Sequence, residues 1–330
     1  MIQPRTRTGD DGGNRPARAH VAIEDLVRLQ HRSHGFSLLP HQPVHSILTG
    51  RHASRLRGRG LNFEELRHYW QGDDIRTMDW LATARLRSPH VRVYSEERDR
   101  PVLLIVDQRM SMFFGSRGAM KSVIAAEVAA LAAWRVTGSG DRVGAIVFDD
   151  AEVVEIRPQS RRRGALRILG TVARLNQALS VETRAASQPG MLNEALRHAE
   201  RLATHDWLVC LVTDAAGADA ETVQLVTRLT AHNDVMTAFI YDPLEEDLPD
   251  LGRVAVEDGG RQIFVDTART RLRRDFADAF STRLEAVERF SRSRTIPVMR
   301  IRTDRDPAAQ IRAILGQRLS AGRRQAQAAR

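Results

Sequence analysis

The chain has 330 residues, 42% hydrophobic and 5% aromatic, and a formal charge of +9, enough for one large domain or two small ones with a real core. The charge invites a nucleic-acid reading, but two features argue against it. Lys121 is the single lysine, so the excess is an arginine bias, and residues 1–100, 101–260 and 261–330 carry +5, −6 and +10. Cys210 is the only cysteine, which excludes an internal disulfide. An amino terminus without an apolar core, and no apolar run near the roughly 20 residues of a membrane helix, exclude a signal peptide and a span, so a soluble, cytoplasmic protein is expected.

In chain order, residues 1–20 are rich in Gly, Arg and Asp and are expected to be disordered. Residues 21–31 have helical spacing. Residues 35–57 show little periodicity and several histidines. His31, His34, His41, His45, His52 and His68 have no Cys or carboxylate to complete a zinc pattern. Residues 58–100 are dense in charge.

From 101 the pattern changes. PVLLIVD (101–107) is a continuous apolar run ending in an acid, hence a buried strand. Residues 121–136 form a helix that is apolar on most of its circumference and therefore central. Residues 141–148 and 151–158 are strands joined by a hairpin turn at Asp149 and Asp150. Amphipathic helices follow at 162–175 and 191–203. DWLVCLVTD (206–214) is a second buried strand ending in an acid, with Cys210 in its core. A helix at 218–232, a strand at 234–242, a helix near 269–289, a strand at 296–303 and a helix at 307–319 complete the series. The last ten residues read as a basic tail.

Strands alternating with helices, buried on both faces, specify an α/β fold. Its sheet is doubly wound and mostly parallel, with helices on both faces and one antiparallel edge strand. In such sheets ligands bind beyond the carboxyl ends of the strands. Asp107 and Asp214 both sit at such ends. The basic stretches 159–167 and 269–276 read as solvated helix faces, since few aromatics interleave with them.

GRGLNFEELRHYWQGDDIRTMDWLATAR (58–85) resembles the signature of the bacterial family called domain of unknown function 58. The matching positions are Gly58, Gly60, Phe63, Leu66, Arg67, Tyr69, Gly72, Asp73, Asp74, Arg76, Asp79, Trp80, Ala84 and Arg85. The likeness continues through GDRVGAIVFDD (140–150) to residues 296–318. With the composition and periodicity read above, it divides the chain into a disordered stretch at 1–20, an N-terminal helix and charged Gly-Asp-Asp module at 21–97, a von Willebrand factor A-like domain at 98–305, and a C-terminal helix and basic tail at 306–330. The signature charges Arg67, Asp73, Asp74, Arg76, Asp79 and Arg85, with Tyr69, Trp70 and Trp80 as anchoring aromatics, read as a structural or docking network. A catalytic pair at Asp73 and Asp74 is disfavoured, because adjacent residues seldom point at one atom.

The resemblance also implies a metal-ion-dependent adhesion site: Asp-x-Ser-x-Ser after the first strand, a later threonine, and an Asp after the fourth strand. Mg²⁺ prefers six oxygen ligands. Asp107, Ser111 and Asp214 match three of the five positions, but Arg109 replaces the first serine. The threonine position falls at Met191, with Thr183 or Ser187 as substitutes. A guanidinium there stands in for the cation, wholly or partly, by bridging Asp107 and Asp214. No cofactor, or weakly bound Mg²⁺, is therefore expected. Phe113 and Phe114 follow the site, either as a partner-binding rim or tucked beneath the loop. Nucleotide-binding glycine loops and a nucleophile elbow are absent. The leading reading is a non-catalytic adaptor that presents this pocket to a protein partner, implied by the resemblance to be a MoxR-type AAA+ ATPase. The alternatives are a metal-dependent hydrolase using Asp107 and Asp214, and an arginine-rich nucleic-acid binder.

Overall fold

The computed structural model describes residues 17–36, 61–96, 100–180, 187–258, 261–294 and 296–316. The chain divides into two compact units, His41–Asp99 and the remainder.

The first helix, α1 (Ile23–Arg28), belongs to the larger unit. Val21, Leu26, Leu29 and Phe36 enter the core of that unit, and Trp134 Nε1 donates to the Leu26 carbonyl at 3.0 Å. Its grouping with the charged module is thus corrected: an amphipathic helix follows its apolar face, not its neighbours in sequence. The expected disorder over 1–20 is also corrected for residues 17–20. Arg18 pairs with the backbone of Gly118 and Met120, and its guanidinium bonds Glu127. The rest of that stretch lies outside the described residues.

The small unit consists of β1 (Leu61–His68) antiparallel to β2 (His90–Glu96), with α2 (Trp80–Leu86) between them. The two strands were not expected from the sequence, whose charge density here hides the alternation of a two-stranded ribbon.

The larger unit is built on β3 (Val102–Asp107), α3 (Lys121–Gly138), β4 (Val143–Phe148), β5 (Val153–Gln159), α4 (Arg161–Ala178) and α5 (Met191–Leu202). It continues with β6 (Leu208–Thr213), α6 (Ala220–His232), β7 (Asp234–Tyr241), α7 (Pro243–Glu246), the hairpin β8 (Arg253–Asp258) and β9 (Arg261–Asp266), α8 (Thr270–Arg294), β10 (Val298–Arg302) and a helix α9 at 307–316. The sheet runs β5-β4-β3-β6-β7-β10, parallel except for the antiparallel edge strand β5. In order of appearance this is the doubly wound 3-2-1-4-5-6 arrangement. Side chains alternate across β3: Val102, Leu104 and Val106 pack into the core with α1, α3, α4 and α9, whereas Leu103 and Ile105 pack with α5 and α6. Ala308, Ile311 and Leu315 of α9 are part of that first core, so the α/β unit extends past residue 305.

The strand order reverses between β3 and β6. A crevice opens there in such sheets, because consecutive connections leave in opposite directions. Asp107 closes β3, and Asp214 follows β6 directly.

Candidate functional site

Asp107 is fully buried, and its carboxylate is saturated. Arg109 N and Nε each donate to Oδ1 at 3.0 Å, Nη2 donates to Oδ2 at 2.6 Å, and Thr213 Oγ1 donates to Oδ2 at 2.7 Å. The two-residue spacing lets the chain turn back, so the guanidinium forks onto the acid that precedes it. The same guanidinium reaches the Pro189 carbonyl at 3.3 Å and the Ala216 carbonyl at 3.1 Å, and lies 5.5 Å from the centre of the Phe148 ring. Arg109 is only 1% exposed and ties three loops together at the sheet end.

The expected bridge from Arg109 to both acids is corrected. Asp214 belongs to Lys121, the chain's single lysine and the first residue of α3. Lys121 Nζ donates to Asp214 Oδ2 at 2.7 Å and to Glu245 Oε1 at 3.0 Å, and is 2% exposed. Ala216 N donates to Asp214 Oδ1 at 2.9 Å, and Ser111 Oγ approaches the same oxygen at 3.5 Å. Arg283 Nη2 completes the Glu245 contacts at 2.7 Å. Five donors make a guanidinium well suited to two acids. Here those donors go to one acid and two carbonyls, and an ammonium takes the second acid.

A third strand end contributes an acid that the sequence reading passed over. Asp242, after β7, is fully buried and accepts from Ser116 Oγ at 2.6 Å, Ser116 N at 2.8 Å, Leu244 N at 2.9 Å and Thr303 Oγ1 at 2.6 Å. Its signal was the one that marked Asp107 and Asp214: DVMTAFIYD is also an apolar run ending in an acid. Asp150, in the β4–β5 turn, accepts from Met110 N at 2.6 Å and Gln188 N at 2.7 Å and so closes the other flank. Gly217, at φ +74°, completes the seal: a Cβ there would lie 2.5 Å from Pro189 Cβ.

Electrostatics separate the two acids. Burial pushes the Asp107 carboxyl up, against the pull of Arg109. Burial also opposes ionisation of Asp214, but Lys121, the Ala216 amide and Arg283 outweigh it and hold the group below the usual carboxylate range. Burial acts to lower Lys121 and Arg109 as well; their acidic neighbours prevail and both are raised.

The adhesion-site metal is tested by the donors. All four carboxylate oxygens of Asp107 and Asp214 already accept from protein donors, and each acid has a buried cation against it. At the threonine position Met191 offers no oxygen and starts α5; Ser187 is exposed, and Thr183 lies outside the described residues. Among the described residues no group of three His, Cys, Asp or Glu is arranged to hold a metal. The residues present do not fit Mg²⁺.

The expected open pocket is also corrected, since Asp107, Arg109 and Asp214 are all buried. Burial follows from the pairing, because neutralised charges can be covered at far lower cost than free ones. Ser111 and Phe113 are half-buried, Phe113 stacking with His20 at 5.4 Å between ring centres. Phe114 is exposed and covers Lys121 Nζ at 5.8 Å. Cys210 is buried in β6, which pushes its thiol up to about 12 and fits the core role.

In the small unit the signature aspartates are bonded locally, whereas Arg76 and Arg85 are exposed. Arg67 pairs with Asp73 at 2.9 Å, and Arg92 with Asp79 at 2.8 Å. Asp74 caps a 3-10 turn at Ile75–Thr77, and Asp79 caps α2. Asp73 and Asp74 do not converge on a common point, having separate partners. Gly72 turns the chain at φ +115°, and Tyr69 N bonds the Pro89 carbonyl. Trp80 and Arg85 are exposed.

The family described as protein of unknown function DUF58 matches residues 65–286. The chain belongs to this family. An uncharacterized protein of Mycobacterium tuberculosis, Rv1480, is 30% identical over 274 residues, covering 82% of this chain and 83% of that protein. An uncharacterized protein of Mycobacterium bovis, Mb1516, matches to the same extent. Among solved structures, the conserved hypothetical protein BatB of Bacteroides thetaiotaomicron is 15% identical, with a TM-score of 0.38, over 66% of this chain and 98% of that one. Manganese-loaded TRAP of Plasmodium vivax is 16% identical, with a TM-score of 0.29, over 42% and 56%. The larger unit of this DUF58 protein is von Willebrand factor A-like in its doubly wound sheet. No catalytic function is indicated by the family or its relatives. Among the described residues no helix is long and apolar enough to cross a membrane.

Proposed function

We propose that this DUF58 protein is a non-catalytic interaction adaptor with a degenerate, metal-independent adhesion site. One observation carries the reading: Asp107 and Asp214, the acids that match the adhesion-site pattern, each have a buried monovalent cation bonded to them, Arg109 and Lys121. Together the two cations supply the charge of one divalent ion, so the loops around β3 and β6 are held without metal. The partner then meets the rim and not the acids, with Ser111, Phe113 and Phe114 as its nearest side chains. The resemblance to domain of unknown function 58 makes a MoxR-type AAA+ ATPase the partner of choice.

The test is a pull-down of a MoxR-type ATPase by the full chain, with Mg²⁺ and with EDTA added after nucleotide has been removed. Equal recovery in both, and reduced recovery by Phe114→Ala, are expected. Recovery abolished by EDTA and untouched by Phe114→Ala would overturn the reading.

A further inference from the structure

A cavity of about 110 Å³ opens in the larger unit between the chain that follows α1, the end of α3 and the start of α4. Part of its lining spends its donors within the fold. Ser33 Oγ donates to the Gln30 carbonyl at 2.8 Å, Thr137 Oγ1 to the Ala133 carbonyl at 2.8 Å, and Trp134 Nε1 to the Leu26 carbonyl at 3.0 Å. The other polar side chains of the lining are Gln30, His34 and Arg162. Among the described residues none of these three has a hydrogen bond or an ion pair from its side chain. Arg162 only lies over the Trp134 ring, 6.0 Å from its centre.

Charge and size select the occupant. No acid lines the cavity. Residues 28–36, 134–142 and 160–167, which carry the lining, hold eight arginines and one acid, Asp141. Arg28 and Arg32 are paired with Asp25 and Asp306, and the excess around the cavity stays positive. α4 opens on Arg161, Arg162 and Arg163 with no acid in its first turn, where acids are ordinarily favoured. The last carbonyls of α3 accept from Ser139 N, Gly140 N and Asp141 N, so they are already satisfied beside the cavity. A water needs roughly 10–15 Å³ of such space, so there is room for a five-atom oxyanion. The volume is well below the roughly 300–1,000 Å³ that encloses a larger organic ligand.

We propose that this cavity binds a phosphoryl group, as inorganic phosphate or as the head of a small phosphomonoester. The Arg162 guanidinium forks onto two of its oxygens, a pairing that its planar donors suit. The Gln30 amide and a His34 ring N–H donate to the others. A carboxylate, with two oxygens, would leave donors unspent. The site is independent of the sheet-end acids: α3 begins there at Lys121 and reaches the cavity at Gly138, and its 18 residues put about 25 Å between the two.

The test is calorimetric titration of the full chain, in a buffer without phosphate, with inorganic phosphate, phenyl phosphate and acetate. Saturable one-site binding of phosphate or phenyl phosphate is expected, and none of acetate. Tighter binding of phenyl phosphate assigns the site to a monoester, and tighter binding of inorganic phosphate assigns it to the free ion. Arg162→Ala should weaken binding about tenfold or more, the loss of a charge-assisted hydrogen bond, and Gln30→Ala about fivefold. Arg167→Ala removes an exposed arginine of the same helix that does not line the cavity, and should change the affinity by less than about twofold. Far-UV circular dichroism confirms that each variant is folded. The proposal is overturned if neither phosphate ligand binds, if acetate binds as tightly, or if Arg162→Ala and Arg167→Ala weaken binding alike. It is equally overturned if phosphatidylglycerol vesicles or single-stranded DNA bind while both phosphate ligands do not.

Discussion

Arg109→Ser removes one side chain and tests the sheet-end account at its centre. The variant keeps Asp107 fully buried, deprives its two oxygens of the guanidinium contacts at 3.0 and 2.6 Å, and leaves it with Thr213 Oγ1 and the backbone amide of residue 109. The Pro189 and Ala216 carbonyls lose a donor as well. Removing one partner of a buried ion pair costs about 3–5 kcal/mol, a large part of the roughly 5–15 kcal/mol that holds a domain folded. The cost must also depend on pH. Burial already raises the Asp107 pKa, and Arg109 restrains it. Without that restraint the folded-state pKa climbs further, so ionising the acid is penalised more as pH rises. The destabilisation should be largest at neutral pH and shrink towards pH 4. Urea unfolding followed by circular dichroism at several pH values measures both terms. A loss below about 1 kcal/mol at neutral pH, or one that grows on acidification, would refute the pairing argument.

Lys121→Met should cost a similar amount, about 3–5 kcal/mol, and Lys121→Met with Asp214→Leu should restore much of it, because both charges of that buried contact are then gone and Glu245 keeps Arg283 as its partner. The stability difference between wild type and that double variant follows from the two shifts. Lys121 is raised above 10.5, so its contribution is complete below that pH and is lost as pH rises through the folded value. Asp214 is lowered below 3.8, so its contribution is present above that pH and is lost on acidification. The difference should be flat between those limits and fall at both ends, as denaturant titrations at each pH would record. Gly217→Ala should destabilise by about 1–3 kcal/mol, measured by thermal unfolding, since the backbone is left-handed and a Cβ would meet Pro189.

The fold was legible because buried parallel strands are written as continuous apolar runs, as in LLIV of β3 and LVCLV of β6. The Asp107–Arg109 contact was legible for a local reason, the two residues lying on one turn. The Lys121–Asp214 contact was not, since the partners are 93 residues apart and only the topology brings the start of α3 to the end of β6. Burial of the site was equally hidden: spacing shows which charges are near, not whether loops close over them. The β8–β9 hairpin is a different case. VAVEDGGRQIFV carries two glycines between two β-rich runs, a pattern that the sequence reading passed over. In the small unit the aspartates of the signature bond within their own turns, a local spacing that the sequence displays. The exposure of Trp70 and Trp80 depends on how their turns face and could not be read from residue type.

The central claim is that two buried monovalent cations hold the ends of β3 and β6 where a divalent ion would otherwise sit. Calorimetric titration of the full chain with Mn²⁺ and Mg²⁺ tests it most directly, with Asp107→Asn as the control. The account predicts no carboxylate-dependent heat for either ion. A micromolar signal from the wild type that disappears in Asp107→Asn would contradict it.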